Sequence, residues 1–178
     1  MCSTKSCEGG VTISETRLGE IVLLQVHAQQ LVPADEFDPA PLLQVDEASV
    51  DAAGMLGWTG SAWVVDVHHA VWPGRGARRP LSVGFTSHYD KMRLRYGEVP
   101  LGVAGENIVV RTDRVVKLDE LGEQILVRGD GREAVLLPEK VAKPCLQFTS
   151  YMLGLRRRGA EGRPGVPRRW DPRIHRYD

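Results

Sequence analysis

The octapeptide Glu20-Ile21-Val22-Leu23-Leu24-Gln25-Val26-His27 decides the fold class. It is a short apolar run rich in β-branched and aliphatic side chains, preceded by Gly19 and followed by polar residues, and it lacks the three-to-four residue spacing of an amphipathic helix. It therefore reads as a strand. Residues 11–17 read the same way, and Leu18-Gly19 between the two makes a plausible tight hairpin.

Working outward, similar short runs recur at 42–45, 62–67, 81–85, 108–111, 124–128 and 134–137. The run at 62–67 is too apolar for an exposed edge strand. Gly129-Asp130-Gly131 closes the last two runs into a hairpin. The stretch Ala53-Gly54-Met55-Leu56-Gly57-Trp58-Thr59-Gly60 reads as turns, or as backbone approaching something closely. A loop containing Pro33, Pro39 and Pro41 with Asp35, Glu36 and Asp38 precedes the second run.

Two segments are helical. After residues 81–85, Thr86 or Ser87 can cap a helix in which Tyr89, Met92 and Tyr96 recur at helical spacing while Lys91, Arg93 and Arg95 face outwards. Gly97 and Pro100 end it. Residues 146–155 form the second, with Leu146, Phe148, Met152 and Leu155 as apolar positions. Many short strands and few helices predict a mainly β fold. A closed or half-closed β-barrel of about seven strands with two or three short helices removes exposed strand edges.

Composition fits one soluble globular domain of 178 residues, 42% hydrophobic and 26% charged. No run has the roughly 20 apolar residues of a membrane-spanning helix, and the polar residues 1–10 lack the apolar core of a signal peptide. Three cysteines, two of them within the first seven residues, form no disulfide framework, so a reducing cytoplasm is expected. The balance of 23 basic and 23 acidic residues hides an asymmetry. Residues 156–178 hold eight arginines and three acids, a net of +5, against −5 for the remainder. The chain thus divides into a flexible N-terminus (1–10), a β-barrel domain (11–155) and an Arg/Pro/Gly-rich basic tail (156–178). The tail reads first as a poorly ordered, solvated extension that at most folds back on the acidic body. Nucleic acid is expected as a partner only through this tail, and membrane not at all.

Three groups of residues can carry chemistry. Gly102-Val103-Ala104-Gly105-Glu106-Asn107-Ile108 turns sharply into a strand, where Asn107 either presents donor and acceptor to a ligand or ties down its own turn. Lys143-Pro144-Cys145 precedes the final helix. A cysteine there faces free N–H groups and the positive end of the helix dipole, with Lys143 adding charge, an arrangement that favours thiolate. Such a thiolate ligates a soft metal, carries sulfur or acts as nucleophile; the competing reading is a small buried hydrophobe. Finally, His68-His69 follow a strand, where neighbours point to opposite faces, and His88 opens the middle helix. One of the pair with His88 and Cys145 makes a conceivable zinc set, although the spacing matches no familiar signature. His27 reads as a strand residue rather than a ligand. No phosphate-binding glycine loop, nucleophile elbow or paired-carboxylate site is present.

These residues resemble the MOSC family, named for the C-terminal domain of molybdenum cofactor sulfurases. The resemblance runs in order through Phe85-Thr86-Ser87-His88-Tyr89-Asp90, Gly102-Val103-Ala104-Gly105-Glu106-Asn107-Ile108 and Pro144-Cys145. It covers about residues 15–155 and is nearest to the small stand-alone bacterial members. It implies a β-barrel and a role in molybdenum cofactor or sulfur chemistry, with Cys145 as sulfur carrier or molybdenum ligand. By the same resemblance Gly105, Glu106 and Asn107 shape a cofactor pocket, His88 lines it and Lys143 lies beside it. The implied partners are molybdenum cofactor or a protein that donates or accepts persulfide. Pyridoxal phosphate, mentioned for such domains, belongs to the neighbouring domain of full sulfurases, since this chain has no clear Schiff-base lysine motif. The sequence departs from the pterin-dependent reductases of the family at Leu56-Gly57-Trp58-Thr59 and after Cys145, where Leu146, Gln147, Phe148 and Met152 stand in place of an acid and a histidine. These departures favour an alternative, a non-catalytic β-barrel binding module without molybdenum chemistry.

Overall fold

A computed structural model of the chain describes residues 15–72 and 81–154. Residues 1–10, residues 11–14 of the expected first strand and the arginine-rich segment 156–178 lie outside the described residues.

The described chain is mainly β, with nine strands and two α-helices. In order these are β1 (Glu20–His27), β2 (Leu42–Gln44), β3 (Glu47–Asp51), β4 (Gly54–Trp58), β5 (Trp63–Val65) and β6 (Val83–Phe85). They are followed by α1 (Thr86–Tyr96), β7 (Ile108–Arg111), β8 (Ile125–Gly129), β9 (Arg132–Leu136) and α2 (Leu146–Met152). Their ladders form a four-stranded sheet of order β2-β1-β7-β6, a three-stranded sheet β3-β4-β5 and the hairpin β8-β9. Only β6 and β7 pair in parallel, joined through α1, and the other pairs are antiparallel.

β1 fulfils its sequence reading by serving two cores at once. Its side chains alternate, as a strand requires. Leu23 enters a cluster with Phe37, Tyr89, Val99, Val103, Val109 and Phe148, beneath the two helices. Val26 enters a second cluster with Val45 and Met55, with Leu24 packed against it, and this cluster welds the two larger sheets together. Each such aliphatic side chain contributes roughly 1.5–3 kcal/mol of burial free energy.

Four expectations are corrected. Residues 15–17 are not in a strand, and the described partners of β1 are β7 and β2. The glycine-rich stretch around Gly54 and Gly57 is not a run of turns but strand β4, paired with β3. Gly57 is there because a Cβ would stand 2.7 Å from Val45 and 2.8 Å from Val26, so the approach is to the protein's own core. β5, expected in the interior, lies at the end of the order in its sheet, with Trp63 half exposed. Lastly, neither Thr86 nor Ser87 caps α1. Phe85 occupies the cap position, and Thr86 instead exchanges hydrogen bonds with the Thr112 backbone, its hydroxyl donating to the carbonyl (3.2 Å) and accepting from the N–H (3.0 Å).

Candidate functional site

The segment that enters β7 is held from below by β1. Gln25, buried on β1, donates through Nε2 to the carbonyls of Gly102 and Glu106, both at 2.7 Å. Gly102 has φ +82°, and a Cβ there would lie 2.3 Å from Leu23, so only glycine fits. Glu106 turns the other way, under α1, and accepts a 2.5 Å hydrogen bond from the Tyr89 hydroxyl. Burial pushes the Glu106 carboxyl up from its ordinary range, partly offset by that bond, and burial beside the carboxyl pushes the Tyr89 phenol up as well.

Asn107, almost fully buried, is saturated by its neighbours. Its Oδ1 accepts from the Ser82 backbone N–H and hydroxyl, both at 3.0 Å. Its Nδ2 donates to Asp66 Oδ2 at 2.8 Å and to the Gln25 carbonyl at 3.3 Å. Of the two roles open to Asn107, the geometry shows the one that ties the turn down. Asp66, just past β5, is fully buried and also satisfied. Oδ2 additionally accepts the His27 backbone N–H at 2.8 Å, and Oδ1 accepts the His68 N–H at 2.8 Å and bonds to His68 Nδ1 at 2.9 Å. Burial raises the Asp66 carboxyl, but these hydrogen bonds outweigh it and hold the group below the usual carboxylate range.

His27 and His68 stand edge to face with centroids 5.1 Å apart. His27 Nε2 lies 2.8 Å from the Gly105 carbonyl, an oxygen that can only accept, so that nitrogen carries the proton. Burial holds the imidazole below its ordinary value, against the pull of Asp66, and keeps it neutral. Both rings border a cavity of about 280 Å³ whose walls include Leu31, Val32, Phe37 and Val67. One ligand atom from each of His27, Asp66 and His68 lies within 4.8 Å of the others, the one such cluster among the described residues.

The expected site residues are only partly brought together. Gly105 and Asn107 adjoin the His27–Asp66–His68 cluster, whereas the Glu106 side chain turns away from it to Tyr89. Cys145 is exposed rather than buried, and it caps α2, its sulfur accepting the Phe148 N–H at 3.3 Å. Phe148 packs edge-on against Phe37, with centroids 5.1 Å apart, so the helix bearing Cys145 backs onto a cavity wall. Cys145 itself is not among the wall residues, and Lys143 is exposed beside it. His88 lies elsewhere, edge-on to Phe85 at 5.6 Å and hydrogen-bonded to the Val116 backbone. Burial lowers its ring, with Lys91 adding to the shift and the Val116 bond opposing it. His68 and His69 diverge, His69 turning to Asp51 and Gly54. Sequence reading passed over His27 and Asp66, and the detectable signal was a polar His at the end of an apolar strand together with Asp-Val-His after another. No family model, curated protein or solved structure matches the chain.

Proposed function

We propose that the chain is a β-barrel protein of MOSC type that binds molybdenum cofactor, or a sulfur-bearing species, through Cys145. The observation that carries this reading is the exposed Cys145 thiol at the start of α2, whose Phe148 leans on Phe37 in the cavity wall. The order of the resembling segments along the chain supports it further, with the Gly105 carbonyl bonded to His27 of the cavity wall. The barrel part of the reading rests on β1, which belongs to one sheet by hydrogen bonds and joins the next through Val26.

A thiolate at Cys145 suits a soft metal or a sulfane sulfur, and among the described residues its sulfur accepts one backbone N–H. Lys143 stands two residues away to meet a phosphate. Molybdenum cofactor would supply two-electron redox chemistry there, with the exposed Cys145 as its sulfur ligand. In the carrier version, the Cys145 thiolate attacks the outer sulfur of a donor persulfide, a new S–S bond forms and the donor leaves as thiolate. An acceptor then takes the outer sulfur and returns Cys145 to thiolate.

Protein purified from a cytoplasm that makes the cofactor is expected to carry molybdenum and pterin, or a persulfide on Cys145 visible in the intact mass and lost in Cys145→Ser. A well-folded sample with neither overturns the reading. A second reading, a binding module without this chemistry, is favoured by one observation: all the polar valences of Asn107 are spent on Ser82, Asp66 and Gln25. It predicts that Cys145→Ala leaves ligand binding intact.

A further inference from the structure

We propose that His27, Asp66 and His68 form a binding site for a divalent first-row transition ion such as Zn²⁺, separate from Cys145. The first observation is the unspent lone pair of His27. The residue is 4% exposed, its Nε2 is committed as donor to the Gly105 carbonyl, and its Nδ1 has no hydrogen-bond partner among the described residues. A buried polar atom without a partner costs about 1–3 kcal/mol, so its retention calls for something that satisfies it. A ring nitrogen left as a bare lone pair while the other donates to a carbonyl is the arrangement that metal-ligating histidines adopt, because the second bond fixes tautomer and orientation.

The second observation is the Asp66–His68 contact. Two ligands at about 2.1 Å from an ion lie about 3.0 Å apart at right angles and about 3.4 Å apart in the tetrahedral arrangement that Zn²⁺ prefers. Asp66 Oδ1 and His68 Nδ1 are 2.9 Å apart, so an ion can replace the proton between them, which passes to the other ring nitrogen or to water. Asp66 keeps its remaining bonds to the His27 and His68 backbone and to Asn107 while ligating through that one oxygen. The ligand atoms lie within 4.8 Å of one another, so binding draws them together by about an ångström or more, and the partly exposed His68 ring is the member free to move. Two neutral imidazoles and one carboxylate suit Zn²⁺ or Fe²⁺ rather than Ca²⁺ or Mg²⁺, which prefer oxygen ligands. Water from the adjoining cavity completes the shell, giving an open site rather than a closed structural one.

The test is titration of chelator-treated full-length protein with ZnCl₂ by calorimetry, repeated with CoCl₂ to read the ligand field from its visible spectrum. Wild type and Cys145→Ser are expected to bind one ion per chain with equal affinity. His68→Ala, whose side chain reaches solvent, is expected to fold and to bind at least tenfold more weakly. His27→Ala, which also loses the bond to the Gly105 carbonyl, is read through the cobalt spectrum of the fraction that remains folded by circular dichroism, and is expected to lose the wild-type bands. Equal affinity in wild type and His68→Ala, or loss of binding in Cys145→Ser alone, overturns the proposal. The latter result would leave the Cys145 reading standing, so the two fail separately.

Discussion

Asp66 and His27 together set how the protein responds to acid. Asp66 titrates below its unfolded range in the fold, so its contribution is present above the ordinary carboxylate range and is lost as pH falls through the depressed value. His27 is likewise depressed, so its neutral form favours the fold above the ordinary imidazole range near pH 6.5, and that support declines as pH falls through it. Asp66→Asn is therefore expected to cost about 3 kcal/mol at pH 7 in denaturant unfolding, because a carboxylate with four donors is replaced by an amide that turns an N–H₂ on some of them. It is also expected to flatten the acid limb of the stability profile. Glu106 has the opposite sign. Its carboxyl is raised, so stability is greatest while it is protonated and is lost as pH rises through the raised value. Glu106→Gln, which keeps an acceptor for Tyr89, is expected to gain stability relative to wild type as pH rises from 5 to 8; paired melting curves that stay parallel would refute this. These roles were the least legible part of the sequence. Asn107 could be singled out by its place after two glycines, but whether it faces a ligand or a neighbour depends on Ser82 and Asp66, which are 25 and 41 residues away.

At the level of single elements, the strands were legible wherever an apolar run coincided with ordinary φ, as in β1, β2 and β7. They were hidden where glycine carried the strand, as in β4, because local propensity reports turns and only the packing of Val26 and Val45 over Gly57 reveals the need for a missing side chain. Two glycines separate space from backbone strain. Gly131 has φ +72° with nothing near an added Cβ, so Gly131→Ala is expected to cost about 1 kcal/mol, the left-handed penalty alone. Gly102→Ala adds a 2.3 Å clash with Leu23 to the same strain, and chemical denaturation should find it several-fold more costly. Helix α2 offers a similar control on Cys145. Cys145→Ala removes the N-cap acceptor and is expected to lower stability by about 1 kcal/mol, whereas Cys145→Ser keeps an acceptor and should melt at or above the wild-type temperature. Loss of function in Cys145→Ser with unchanged melting then belongs to the sulfur.

For the whole molecule, β1 is where the two larger sheets and both hydrophobic clusters meet. Amides that exchange only on global unfolding are expected at Val26, His27 and Val109, and measured hydrogen exchange that places the slowest sites in β8 or β9 would contradict this architecture. The mainly β class followed from short apolar runs, whereas the division into separate ladders did not, since it depends on the pairing of distant strands. The formal neutrality of the chain is similarly a sum over unlike parts, an acidic folded region and a basic segment.

Among the described residues the β8-β9 hairpin pairs with no other strand, and its tip has Asp130 and Gly131 at positive φ with open space around Gly131. Those two residues are accordingly the natural point at which to splice in a fluorescent reporter or an affinity handle. A label placed there leaves β1, the His27–Asp66–His68 cluster and Cys145 untouched, and lets the same molecule be weighed, captured and watched while its ligands are sought.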